Sequence, residues 1–368
     1  TNGYKVVYEG GKFLYSFQSQ TTSKIAAGSE VIFNGESYTY KAGLALVRRV
    51  SRESNAVVFG PALDGSTFVL VDGPLTLDKT FTLDCVDPDG NLLDLTITSS
   101  TDDPCLFSIT KDADATVLNF KFVNAHSTEA GSIFENEGEL TVQNVLFSNN
   151  VMEKGNLIYN AENAKLTVLN STFENNTAIE GALIYNLGDA SIIGTYDEET
   201  DTTVYTSFIG DSAYLGPIYS EDGELSVQYA SFQETSAENG GAVHVNGGSA
   251  IIANSVFEET SATDMGGAIF ATNGANLQID EAQFTNTTAT DGGALVAHSG
   301  STVNIAATTF DGATATDRGG AILNVASVVK AEDSIFANAS ATNGGAVYNS
   351  GDMTFVSSVF DGNTAAEQ

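Results

Sequence analysis

The sequence predicts an all-β fold: a right-handed parallel β-helix (solenoid) of about 10–12 coils behind an N-terminal hairpin-rich cap. Three observations carry this. Gly-Gly-Ala occurs five times, beginning at Gly240, Gly266, Gly292, Gly319 and Gly344, with gaps of 26, 26, 27 and 25 residues. Phe recurs on the same period, at Phe232, Phe257, Phe284, Phe310, Phe336 and Phe360. Between these marks the apolar residues alternate with polar ones over short stretches, and no stretch carries a helical pattern. A fixed period of this length marks units that bury their apolar faces only against their neighbours.

Taken in order, residues 1–55 do not fit the period. Gly10-Gly11 and Asn34-Gly35 lie between short apolar stretches and read as tight hairpin turns. Three of the four arginines, Arg48, Arg49 and Arg52, fall here. The segment is expected to be a cap or docking element, because an exposed terminal coil is an open sheet edge. Residues 56–118 read as the first, irregular coils, with strand-like stretches at 68–71, 75–77, 81–83 and 93–97. Residues 119–368 read as regular repeats of about 26 residues. Phe122, Phe147 and Phe173 extend the Phe column backwards, and Phe208 follows Phe173 by 35 residues. About ten residues are therefore inserted there, and 194–201 reads as an acidic surface loop.

The unit 266–291 shows what one coil must be. Ile269-Phe270-Ala271 follows the Gly pair, Thr272-Asn273-Gly274 turns the chain, and 277–280 alternates apolar with polar. Two or three strands per coil follow. Stacked about 4.8 Å apart, such coils form columns. Ile133, Ile158, Ile184, Ile218, Val243, Ile269, Leu295, Ile322 and Val347 are expected to make one inward aliphatic ladder, and the Phe residues an aromatic one. Asn160, Asn186, Asn324 and Asn349 share one position and suit a ladder of turn amides. The Gly pairs suit a sharp corner where φ is positive or backbones approach closely.

Phe147-Ser148-Asn149-Asn150, Phe173-Glu174-Asn175-Asn176 and Phe360-Asp361-Gly362-Asn363 match Phe-x-x-Asn, while the Gly266 and Gly319 units match Gly-Gly-Ala-Ile. The paired motif resembles the repeats of the chlamydial polymorphic outer-membrane protein family over roughly 120–368. Thr235, Thr260, Thr287, Ala313 and Ala339 replace the Asn in the middle coils. The resemblance implies an exported β-helix passenger that makes contacts and does no chemistry; the sequence contains no translocator barrel.

With 47 acidic and 14 basic residues the formal charge is −33. A surface this acidic repels nucleic acid and anionic lipid. It suits salty or calcium-containing surroundings, and the low lysine content also fits a salt-adapted source. No apolar run reaches the length of a membrane span. The chain opens at Thr1, as a processed mature protein would. Cys85 and Cys105 are the only cysteines and are expected to form one disulfide, with two buried thiols as the alternative. Sequons at Asn170, Asn175, Asn286 and Asn338 are usable for glycosylation in a eukaryotic secretory setting, but their number is no more than chance supplies.

The search for chemistry yields little. Of the polygalacturonase-like signals only Asp102-Asp103 occurs, and it is expected in a turn. The repeats hold one arginine, Arg318. His126, His244 and His298 occupy different repeat positions and cannot stack into a metal cluster. His244 replaces the aromatic at Tyr159, Tyr185, Phe270 and Tyr348 and is expected to be a packed or half-exposed ring. Glu238, Asp264, Asp291 and Asp317 precede successive Gly pairs. Stacked carboxylates repel unless solvated or bridged. The column reads as a solvated acidic edge, with a calcium ladder as the sharper alternative. Ser261/Thr263, Thr288/Thr290, Thr314/Thr316 and Ser340/Thr342 form a Thr-x-Thr-like face of the kind ice-binding solenoids use.

The expectation is an extracellular, non-enzymatic protein at the cell surface, either adhesin-like or a subunit of a self-assembling structural filament. Its partners are another copy of itself, a surface protein or a glycan, and no cofactor is expected, calcium being the one candidate. The alternative is a polysaccharide-degrading lyase or glycosidase. After Phe360 the next Gly pair is expected at about 368, where the sequence stops. The last coil is therefore expected to present open strand edges. Head-to-tail contact with 1–55 of another copy, or further coils of a longer parent chain, would cover them.

Overall fold

The computed structural model describes strand backbones between residues 4 and 59, and residues 64–70, 74–78, 80–87, 89–99, 105–128 and 131–367. Nearly every strand pair in the body is parallel, so the chain is a β-solenoid. Ten coils contribute a strand to the smallest of its three long sheets, which holds 10 strands. Most regular coils have four strands, more than the two or three expected, and in the last two coils the first two strands join into one, Ile322–Glu332 and Val347–Val356. In one coil the four are Ile269–Thr272, Asn276–Asp280, Gln283–Thr285 and Thr288–Asp291. In this coil a left-handed backbone residue punctuates every corner: Asn273, Glu281, Asn286 and Gly292 have φ of 56°, 51°, 53° and 60°. Asn tolerates this conformation best after Gly, which accounts for much of the asparagine in the chain.

The Gly pair performs two separate tasks at its corner. Gly240, Gly266, Gly292, Gly319 and Gly344 have φ between 60° and 69°. A Cβ on the second glycine would collide with the next coil, as Gly267 shows: its Cβ would sit 2.0 Å from the Gly293 carbonyl oxygen.

The Phe column is continuous. Phe122, Phe147, Phe173, Phe208, Phe232, Phe257, Phe284, Phe310, Phe336 and Phe360 pair in register. Successive rings stack with centroids 4.5–5.3 Å apart. The aliphatic ladder runs as expected from Ile158 to Val347, but the residue that precedes Ile158 in the row is Phe134, not Ile133. The Asn column sets the register here: Asn136 pairs with Asn160 and Asn160 with Asn186. Counting back from Asn136 gives Phe134, and a one-residue slip exchanges the faces of a strand. Their carboxamides bond coil to coil, Asn136 to Asn160 at 2.7 Å and Asn160 to Asn186 at 2.8 Å. Asn324 and Asn349 repeat the arrangement at 2.7 Å.

A second amide column stands behind the Phe residues. Asn150 Nδ2 donates to the Phe122 carbonyl and Asn176 Nδ2 to that of Phe147, each at 3.0 Å. Asp211 continues this column. Its Oδ1 accepts from the Asn176 amide N–H at 2.7 Å and from Asn176 Nδ2 at 2.9 Å. Its Oδ2 takes the place of the amide nitrogen and is buried without a partner.

The insertion after Phe173 is an antiparallel hairpin, Thr195–Asp197 with Thr202–Val204, rather than a plain loop. At the N-terminal end Tyr4–Tyr8 pairs antiparallel with Phe13–Phe17, and Glu30–Phe33 with Glu36–Tyr40. Tyr4–Tyr8 also pairs with Ser66–Leu70 of the first coils. The glycines of the first turn, Arg52 and Asp102-Asp103 lie outside the described residues. Cys85 and Cys105 are buried free thiols, so the expected disulfide is not formed. They lie against different carbonyls, those of Leu93 at 3.1 Å and Phe107 at 3.2 Å. In the last described coil Phe355, Val359 and Phe360 are partly exposed.

Candidate functional site

One outward column differs from the hydroxyl and amide rows around it. Glu135 pairs with Tyr159, and the register continues through Tyr185, Tyr219, His244, Phe270, Val296, Leu323 and Tyr348. These positions alternate with the inward aliphatic ladder and so face away from the core. Ring centroids step by 5.8 Å from Tyr159 to Tyr185, 4.9 Å to Tyr219, 4.8 Å to His244 and 4.7 Å to Phe270.

The two halves of this ladder are built differently. Phe270, Val296 and Leu323 form a small apolar cluster of their own with Met265, Val325 and Tyr348. The Arg318 guanidinium lies 5.7 Å from the centre of the Tyr348 ring, a cation–π contact. Its fork is held by the buried Asp291, with Nε 3.0 Å from Oδ1 and Nη2 2.6 Å from Oδ2. Toward the N-terminus the rings carry hydroxyls and acids instead. Tyr185 Oη donates to Glu221 Oε2 at 2.5 Å. Asn246 Nδ2 donates to Tyr219 Oη at 2.7 Å and to Glu221 Oε1 at 3.4 Å. Asn273 Nδ2 donates in turn to Asn246 Oδ1 at 2.6 Å. The partners of the Glu221 carboxylate in this network are thus a neutral hydroxyl and a neutral amide.

Burial, and then this carboxylate, push Tyr185 far above the usual phenol range. Burial raises Tyr159 as well, reinforced by Glu135, Glu137 and Glu221. Burial raises Tyr219. The three rings are therefore phenols at neutral pH, able to stack and to hydrogen-bond but not to act as phenolate bases. His244 is lowered to about 4 by burial, against a smaller opposing effect of the Leu215 carbonyl 3.3 Å from Nδ1. It is a neutral, half-buried ring packed between Tyr219 and Phe270, as its repeat position led us to expect.

The acidic column is not a column. The row before the Gly pairs holds Asn239, Met265, Asp291, Arg318 and Asn343. Coils with one more residue between Phe and Gly accommodate it as a bulge, so Asp264 and Asp317 fall out of register with Asp291. Glu238, Asp264 and Asp317 are exposed, whereas Asp291 is buried against Arg318. Among the described residues no group of three or more His, Cys, Asp or Glu is placed to hold a metal ion.

The same bulges interrupt the threonine face. Ser261, Thr288, Thr314 and Ser340 align, but in the second row Thr290 donates to the Thr263 carbonyl and Thr342 to that of Thr316. Asn170, Asn175, Asn286 and Asn338 all occupy left-handed corners, with φ between 48° and 53°, and the last three are exposed.

Tyr219, Glu221 and Asn246 escape a reading of the sequence alone. The available signal was the Tyr preceding Asn160, Asn186 and Ser220, which marks a column distinct from the scaffold ones.

No protein-family model and no curated protein matches the sequence. Among solved structures the chain is similar to the A-module of the Azotobacter vinelandii mannuronan C-5 epimerase AlgE4. That likeness has 12% identity, a TM-score of 0.35, and covers 82% of this chain and 90% of that one. It is also similar to the catalytic unit of a thermostable GH87 α-1,3-glucanase from Streptomyces thermodiastaticus. There the identity is 14% and the TM-score 0.33, over 81% of this chain and 61% of that one. At these values the comparisons add nothing to what the strand registers establish. Among the described residues no helix is long and apolar enough to cross a membrane.

Proposed function

We propose that this protein is a carbohydrate-binding β-helix, acting outside the cell and holding a polysaccharide along the ladder Tyr159–Tyr185–Tyr219–His244. The observation that carries the reading is the ladder itself. Tyr159 and Tyr185 are half-buried phenol rings on one outward strip, Tyr185 bonded to the Glu221 carboxylate, and the buried Tyr219 beside them is bonded to the Asn246 carboxamide. Sugars present apolar C–H faces and a rim of hydroxyls, and a strip of rings edged by hydrogen-bonding groups matches both. The coil spacing of about 4.8 Å is close to the advance of one pyranose unit, so successive sugars of a chain lying along the axis fall on successive coils of the strip. Contact without chemistry is also what the repeat resemblance implies.

Carbohydrate cleavage is the rival, and it rests on Glu221, a carboxylate within the strip such as glycoside hydrolysis requires. Electrophoresis through gels containing soluble polysaccharides tests both readings. The binding reading expects retardation in at least one gel, lost in a Tyr159→Ala/Tyr185→Ala variant that melts normally. Retardation that survives the double substitution, or none in any gel, refutes it. New reducing ends or unsaturated products on incubation would establish the rival instead.

A further inference from the structure

The two ends of the outward ladder suggest what kind of sugar it takes. At Tyr348 the protein completes a ring–cation–carboxylate arrangement with its own side chains: Arg318 lies over the ring and Asp291 grips the guanidinium. At the other end the ring and the carboxylate recur, as Tyr185 and Tyr219 with Glu221, but the donors bonded to that carboxylate are a phenol and an amide. Neither neutralises it. Glu135 stands next to Tyr159 in the same column, and with Glu137 and Glu221 its charge bears on that ring. A ligand lying here meets the part-exposed rings of Tyr159 and Tyr185 in a field of carboxylates.

That field discriminates. A polymer of uronic acids would bring one carboxylate per sugar against it, at a cost that rises as water is excluded. A protonated amine is drawn both to the carboxylates and to the faces of the tyrosines. We infer that the strip over Tyr159 and Tyr185, edged by Glu135 and Glu221, is selective for a polymer of amino sugars with free ammonium groups. This rests on the carbohydrate-binding reading above and names the class of sugar within it.

Calorimetric titration of the whole chain with four hexamers at pH 5.5 tests the inference. They are a glucosamine oligomer, its fully N-acetylated form, a neutral β-glucan oligomer and an oligouronate. The glucosamine hexamer should bind at least tenfold more tightly than its acetylated form. Added salt should weaken the first and leave the second nearly unchanged. Glu221→Gln should bring the two within about threefold of each other while the variant melts like the parent. That ratio is a readout that a purely structural role for Glu221 would not move. Equal affinity for the amine and its acetylated form, or tighter binding of the oligouronate, overturns the amino-sugar inference and leaves carbohydrate binding standing. Failure of all four to bind overturns this inference together with the carbohydrate reading it depends on.

Discussion

Replacing Asp211 by Asn should stabilise the protein, and by an amount that depends on pH. Asp211 is fully buried in a column whose two preceding coils carry the amides Asn150 and Asn176. Asn150 and Asn176 use Nδ2 to donate to a Phe carbonyl of the coil before, a donation Asp211 Oδ2 can make only when it carries a proton. Burial raises the carboxyl from 3.8 to about 7, against the lowering effect of the bonds from Asn176. A group whose folded pKa is raised contributes fully below its unfolded value, and its contribution is lost as pH rises to the folded one. The loss therefore runs from about pH 4 to pH 7. At about 1.4 kcal/mol per unit it reaches roughly 4 kcal/mol above pH 7 and less than 2 kcal/mol at pH 5. Asn supplies the donor at every pH. Urea unfolding of the parent and Asp211→Asn should therefore show nearly equal stability at pH 4 and a gain of a few kcal/mol for the variant at pH 8. A gain of the same size at both pH values, or a loss at pH 8, would refute this account of the column.

Three further outcomes follow from particular contacts. Alkylation of the native protein without reductant should leave Cys85 and Cys105 unmodified, since burial raises them to about 11 and 12; in denaturant, still without reductant, intact mass should show both labelled. Gly267→Ala should lower the melting temperature sharply, because its Cβ would meet the Gly293 carbonyl, whereas Gly274→Ala, with open space around the added Cβ, should cost only about 1 kcal/mol for its positive φ. Because Asp264, Asp291 and Asp317 do not stack, calcium and magnesium at equal ionic strength should shift the melting temperature equally; a calcium-specific rise would show an arrangement of acids other than the one described.

The scaffold was largely legible in advance because its requirements are local and recur. A stacked Phe, a left-handed Gly and an amide at a turn each demand one residue type at one place in every coil. What misled was counting. A count from Gly131 gives Ile133, although the Asn136 register puts Phe134 in that row. A count from the Gly pairs stacks the acids, although the coils differ by one residue there and take up the difference as bulges. The ladder chemistry was harder still. Tyr185 and Glu221 are 36 residues apart, across the inserted hairpin, so no fixed period connects them. Only the alignment of three successive coils brings phenol, carboxylate and amide together.

That hairpin has a consequence of its own. It lengthens one coil by about ten residues, yet Phe173 and Phe208 on either side stack at 4.5 Å and 7°, as closely as any pair in the column. Extra chain leaves the solenoid at the Gly194 corner and re-enters without disturbing the layer beneath. Solvent-facing features and interior order can therefore change separately in this fold. New loops can be grafted at corners, next to the strip of rings or far from it, while the stack of phenylalanines continues to measure out the coils.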